Sequence, residues 1–379
     1  MLLNKEKEGS RLILVTGATG NVGREVVNVL LEDGKKVVAV TRNPAAAALP
    51  GGAHMVGGDP SHPRTLTSAL RGVEAVLISP RALGDATAGA ATAELLALAV
   101  EQSVERVVAL SAVTVQYAAG YRRFADAFKA LEDAIKASGL LWTFLRSADY
   151  AANTVAWVPQ MRSANVVRGA YGDAATSTIH ERAVAVIAAR ALVNSAYAGH
   201  SYVLTGPQSL TQRDKGRLIG EAIGKELSFE EPPPEQLRQA MLAQGLPEDV
   251  PDRLLGSLAD YAKQPGPSSG TVEQVLGRPA LTFAEWAAEH AAAFRNRRER
   301  NGNYERLAAG DDRLVSTHYQ GATDETHDLR SDRWYRSASP RAGRRRRARC
   351  NRSRTAPEEA VHTGTHSHGR SGDSGRGGA

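Results

Sequence analysis

The chain has 379 residues, 42% of them apolar and 23% charged, which excludes a collagen-like repeat, a disulfide scaffold and a chain disordered throughout. Its single cysteine, Cys350, closes no internal disulfide and builds no paired-cysteine zinc site; with no long apolar run and no apolar core near the N-terminus, a soluble, cytoplasmic protein without a membrane span is expected. The formal charge of +6 points to nucleic acid only until it is split: residues 301–379 hold 15 Arg, no Lys and 10 acidic residues, so the body is nearly neutral.

Arg11 to Thr16 is a short β-branched run that ends directly in glycines, as a buried parallel strand does. The turn Thr16 to Gly23 follows, and Val22, Val26, Val27, Leu30 and Leu31 then recur at helical spacing as far as Gly34. Strands are expected at 36–42, 54–59, 75–80, 106–112 and 142–147. Helices are expected from about 60 to Arg71, 87–103 and 122–138. Six strands alternating with helices predict an α/β fold, a doubly wound parallel Rossmann sheet with right-handed crossovers.

Beyond residue 150 the alternation breaks. Helices are expected at about 180–194, 211–223, 233–243, 248–262 and 282–294, with strands near 201–205 and 227–231. The expected organisation is a dinucleotide-binding domain at 11–150, a smaller α+β lobe at 151–295 closing the substrate cleft, and a disordered Arg/Gly/Ser-rich tail at 296–379. The tail has the abrupt composition of a fused or frame-shifted extension, and nucleic acid is expected to meet the protein only non-specifically, through this basic segment.

Gly17, Gly20 and Gly23 stand at G-x-x-G-x-x-G spacing between a strand and a helix. Glycines there let the main chain and the helix N-terminus approach a pyrophosphate, so a dinucleotide is expected. The second strand ends in Thr41, Arg42 and Asn43, with no carboxylate for a ribose 2′-hydroxyl and a guanidinium suited to a 2′-phosphate; NADP(H) is favoured and NAD(H) disfavoured. Asp59 either meets the adenine amino group or caps the helix that follows Pro60.

TGATGNVG, TRNP, GGDP, LRGVEAVLISP and WTFLR together resemble the atypical short-chain dehydrogenase/reductases of the NmrA-like group, including NAD(P)H quinone oxidoreductase-like and isoflavone reductase-like members. HERAVAVIAARAL, SYVLTGPQSLT and LTFAEWAAEHAAAF extend the resemblance, which covers about residues 11–295. It implies NADP(H) along Gly17, Thr19, Asn21, Val22, Gly23 and Arg42, with Ser79, Pro80 and Ser111 lining the nicotinamide half. It also implies substrate-pocket residues after the sixth strand, at Asp149 and Asn153, the alternative for Asn153 being a helix cap. Tyr150, like Tyr117 and Tyr121, stands on a loop at the carboxyl edge of the sheet and either hydrogen-bonds the substrate or packs with its hydroxyl in water. Reductase relatives place a Lys or His on the helix before the sixth strand, seven residues ahead of an isoleucine; here that position, relative to Ile135, is Phe128.

No tyrosine of the body is followed four residues later by Lys, so the usual Tyr-x-x-x-Lys acid is missing. Lys129, Tyr117 and Tyr121 are the remaining catalytic candidates, and the catalytic group is left open. His180 and Glu181 open a helix; without a third ligand no metal is expected. The function expected is an NADPH-dependent reduction of a small quinone or enone. The alternative is a non-catalytic NADP(H)-sensing regulator acting through protein partners. A homodimer is compatible with the sequence.

Overall fold

Residues 12–84, 88–120 and 122–295 are described by the computed structural model. The first half alternates strand and helix: β1 (Leu12–Val15), α1 (Asn21–Glu32), β2 (Lys36–Thr41), β3 (His54–Gly57), β4 (Val73–Ile78), α2 (Ala88–Glu101), β5 (Arg106–Ala112), α3 (Arg122–Ala137) and β6 (Leu141–Ser147). The second half holds α4 (Val158–Ala164), β7 (Val166–Arg168), β8 (Ala175–Thr176), α5 (Glu181–Val193), β9 (His200–Leu204), β10 (Leu210–Thr211) and α6 (Gln212–Ile223). These are followed by β11 (Ser228–Glu230), α7 (Pro234–Ala243), α8 (Asp249–Lys263), α9 (Thr271–Leu276), α10 (Phe283–Glu289) and α11 (Ala291–Phe294).

Seven strands form one sheet in the order β3-β2-β1-β4-β5-β6-β9, all parallel. The expected doubly wound sheet is therefore present, with one strand more than expected. The strand foreseen near 201–205 joins the main sheet as β9, beside β6, instead of standing with the later elements. Strand order reverses between β1 and β4, which opens a crevice at their carboxyl ends.

Alternation along the strands sends residues to two helical layers. Ile13 and Val15 of β1 share a core with Val26, Val27 and Leu30 of α1 and Val184, Ile187 and Ala188 of α5. Leu14 faces the opposite way, with Leu95 and Leu96 of α2 and Leu131 and Ile135 of α3. Arg182 of α5, almost fully buried, lies 3.6 Å from Glu25 and 3.5 Å from Glu32, binding the fifth helix to the first. A third core joins α4, α6, α10 and α11 through Met161, Ile219, Phe283, Trp286 and Phe294. Trp286 and Phe294 are thus core anchors.

The helix expected between 60 and Arg71 is not formed. Pro63–Leu66 make a single 3₁₀ turn followed by further turns. Asp59 and Thr65 explain the difference: their side chains bond main-chain groups of this segment and compete with a helical ladder. The helix expected at 282–294 breaks at His290 into α10 and α11. Among the described residues no helix is long and apolar enough to cross a membrane. The tail expected from 296 lies outside the described residues.

Candidate functional site

Thr16, with no exposed surface, clamps the ends of β1 and β4: its hydroxyl donates to the Leu77 carbonyl (2.8 Å) and accepts the Ser79 amide (2.9 Å). Gly17 follows at φ +63°, where a Cβ would lie 2.8 Å from the Ser79 Cβ. Both the dihedral and the close approach demand glycine. At Gly23 a Cβ would stand 2.1 Å from the Gly17 carbonyl oxygen, so helix and turn touch only because that side chain is absent. Gly20 is the N-cap of α1 and offers no side-chain cap, and the first turn has no acidic residue. The amides of Asn21, Val22 and Gly23 therefore open the helix without an internal acceptor, beside a concavity that side chains would fill. That is a fit for a pyrophosphate. Thr19 and Asn21 stand half-buried on the same turn, and Val22 packs inward.

Arg42 lies just past the end of β2, exposed and without a hydrogen bond or ion pair among the described residues. The loop beyond it is held by the Arg24 guanidinium, which donates to the Ala48 carbonyl. Asp59 is engaged in its own turn: its Oδ1 accepts the Ser61 amide (3.0 Å) and hydroxyl (2.7 Å). Burial opposes its ionisation, but the bonds from Ser61 and the neighbouring His62 prevail and hold the carboxyl below its ordinary value. These bonds close the turn at Pro60, and the helix that Asp59 was alternatively expected to cap is not formed. Ser79 and Pro80 stand at the end of β4, next to Gly17.

Toward β5 and β6 the edge changes character. The buried Ser111 hydroxyl donates to Glu132 Oε1 (2.7 Å), and Arg146 grips the same carboxylate through Nε (2.9 Å) and Nη2 (2.5 Å). Arg146 also donates to Gln116 Oε1 at 3.1 Å. Ser111 thus ties β5 to α3 and, through Glu132, to Arg146 of β6. Glu132 and Arg146 were missed in the sequence. Their signal was present: an acid between Leu131 and Ile135 on the inner face of a helix, and an arginine inside the strand LWTFLRS.

The catalytic candidates do not converge. Lys129 points outward and bonds Asp133 at 2.6 Å, with most of its side chain exposed. Phe128 stacks edge-on against Phe124 (4.8 Å), whose ring also carries the Arg253 guanidinium at 4.5 Å. Tyr117 is exposed and accepts a long bond from Gln116 (3.4 Å). Tyr121 lies outside the described residues. By contrast, Asp149 and Asn153 come together after β6, while Tyr150 between them packs against the core shared by α1 and α5. Asn153 donates to Asp149 Oδ1 at 2.6 Å, and the second oxygen accepts from Lys215 at 3.2 Å. Burial, with a smaller push from Glu181, raises the Tyr150 phenol to about 12, so it stays protonated at ordinary pH.

Helix α8 roofs this half. The Gly120 amide, in the loop after β5, donates to Asp260 at 2.7 Å, and a Cβ at Gly120 would strike the Ser257 hydroxyl. Tyr261, on the same helix, has its phenol pKa raised by burial and then by the charges of Asp149 and Asp260. His180 and Glu181 are absorbed elsewhere: His180 caps α5 and bonds Glu289 (3.0 Å), and Glu181 accepts the Trp286 indole N–H (3.0 Å). No group of three or more potential metal ligands occurs among the described residues. An open groove of about 660 Å³ along α6 and β11, bordered by Arg213, Glu221 and Phe229, holds none of the expected site residues.

Residues 17–195 match the family described as NAD(P)H-binding. The chain is 35% identical, over 75% of its length and 99% of the relative's, to the (4-alkanoyl-5-oxo-2,5-dihydrofuran-3-yl)methyl phosphate reductase of Streptomyces griseus. It is 30% identical to the NAD(P)H azoreductase of Xenophilus azovorans, again over 75% of this chain and 99% of that one. The chain belongs to the NmrA-like reductase family. Its fold also superposes on the Escherichia coli NADPH-dependent quinone oxidoreductase in complex with NADPH, with a TM-score of 0.63, 26% identity, and coverage of 73% of this chain and 98% of the other. As an NmrA-like protein it belongs with NAD(P)H-dependent reductases, and the matched residues begin at Gly17 of the glycine turn.

Proposed function

We propose that the protein is an NADPH-dependent reductase of a small conjugated carbonyl compound, a quinone or an enone. The observation that carries this reading is the turn at Gly17 to Gly23, which makes room for a pyrophosphate against uncapped helix amides, with the unpaired Arg42 guanidinium at the end of the neighbouring strand. Arg42 favours the 2′-phosphate of NADPH over the bare ribose of NADH. The bound dinucleotide supplies hydride at the nicotinamide. The chain's own residues bind and orient: Ser79 and Pro80 border the crevice, Asp149, Tyr150 and Asn153 form the substrate wall, and α8 with its neighbours closes the cleft and limits water.

The choice of substrate class has two supports. The S. griseus relative is a reductase of an alkanoyl-oxo-dihydrofuran and the E. coli protein a quinone oxidoreductase. Both substrates carry a ring double bond conjugated with carbonyl groups, which accepts hydride without an acidic side chain at the site of attack. Such chemistry suits a site whose α3 carries Phe128 packed on Phe124 and holds Lys129 in a solvent-exposed pair with Asp133.

The test is loss of NADPH absorbance with menadione and 2-cyclohexenone as acceptors, NADH being the control. Acceptor-dependent oxidation faster with NADPH is expected. Tight NADPH binding with no oxidation across such a panel would instead establish the non-catalytic, cofactor-sensing regulator.

A further inference from the structure

Lys215 stands in the first turn of α6, which Thr211 and Asp214 fix through a reciprocal capping box. None of its side chain is exposed. A fully enclosed ammonium is costly unless it is both bonded and paired. Lys215 has both: Nζ donates to Thr176 Oγ1 at 2.8 Å and to Asp149 Oδ2 at 3.2 Å. Asp149 sits differently, with 32% of its side chain accessible at the carboxyl edge of β6. The pair therefore runs from the interior to the accessible carboxyl edge of the sheet, where the substrate wall is proposed.

The next link is Asn153, whose Nδ2 donates to Asp149 Oδ1 at 2.6 Å. A carboxylate oxygen accepts hydrogen bonds, so this contact decides which end of the amide faces Asp149. One N–H of Asn153 is used; the second is directed away from the carboxylate by the planar geometry of the amide. A buried ion pair is in itself a weak source of stability, since apolar residues of similar volume do as well. Its distinctive property is orientation.

We propose that Lys215 is a positioning residue for the substrate: it locks Asp149, which turns Asn153 so that its second amide N–H donates to the substrate carbonyl oxygen. This inference rests on the reductase reading. Bound NADPH would supply a hydride for the new C–H bond on the electron-poor carbon of the substrate and would end as NADP⁺. The displaced π pair moves to the carbonyl oxygen, giving an enolate. Asn153 stabilises that developing charge as a neutral donor placed in advance. Water then gives the proton and leaves as hydroxide, so no Tyr-x-x-x-Lys acid is required.

The experiment is a double-mutant cycle of Lys215→Met and Asn153→Ala in the full chain. Readouts are kcat and KM for 2-cyclohexenone, equilibrium binding of 2-cyclohexenone to the NADP⁺-loaded protein, and the NADPH dissociation constant. Each single change is expected to lower kcat/KM and enone affinity about tenfold, with NADPH affinity unchanged; the double variant should be no worse than Asn153→Ala. Additive losses overturn the proposal, because a residue acting only on stability does not act through Asn153. Asn153 is half-buried, so Asn153→Ala and Asn153→Asp decide the matter even where Lys215→Met does not fold: wild-type turnover and enone affinity in both overturn it. A wild-type protein that neither oxidises NADPH nor binds the enone overturns the reductase reading together with this inference, whereas turnover indifferent to these variants overturns the inference alone.

Discussion

At the ends of β1 and β4 the sheet edge is shaped by missing side chains: Gly17 and Gly23 leave room that a single methyl would close, and the main chain itself faces the crevice. At the ends of β5 and β6 it is shaped by charged side chains locked in pairs, Glu132 with Arg146 and Asp149 with Lys215. The first edge uses local backbone geometry. The second uses ion pairs, one of them closed across 66 residues of chain. With the first edge proposed to hold the cofactor and the second the substrate, one can be kept constant while the other is varied to accept different molecules.

Substitutions should separate the halves. The largest effect is expected at Gly23→Val, whose Cβ would meet the Gly17 carbonyl oxygen at 2.1 Å. NADPH affinity should fall by roughly a hundredfold or more, measured by fluorescence titration. On the other side, Glu132→Leu strands Arg146 and the Ser111 hydroxyl; a loss of about 3 kcal/mol is expected, seen as a thermal midpoint lowered by several degrees. NADPH affinity of the folded fraction should hold. If Glu132→Leu weakened NADPH as much as Gly23→Val does, the two halves would not be independent. The smallest effect belongs to Lys129→Ala. Its pair with Asp133 is solvent-exposed, so the thermal midpoint should stay close to that of wild type, and turnover should match wild type; a marked loss of turnover would make Lys129 a participant after all.

The same contrast explains what could be read from the sequence. Strands β1 to β6 and helices α1 to α3 announce themselves by apolar periodicity, and the glycine turn by its place between β1 and α1. The segment after β3 misled because Asp59, Ser61 and Thr65 spend their side chains on nearby main-chain groups, a competition that periodicity does not register. β9 was legible as a strand but not as a neighbour of β6, since its partner is set by how α5 packs back onto α1. Asp149 and Asn153 were placed by resemblance. Lys215 had no local signal: in TQRDKGRL it is one charge among several, and only the tertiary fold sets it 66 residues away against Asp149. Glu132 and Arg146 were detectable in retrospect as charges in apolar registers.

The glycine turn and Arg42 are expected to hold NADPH together. The most direct measurement is equilibrium titration of wild type and Arg42→Ala with NADPH and with NADH. NADPH should bind wild type more tightly than NADH, and Arg42→Ala should remove that advantage, weakening NADPH about tenfold or more while leaving NADH unchanged. Equal affinities in all four combinations would contradict the account.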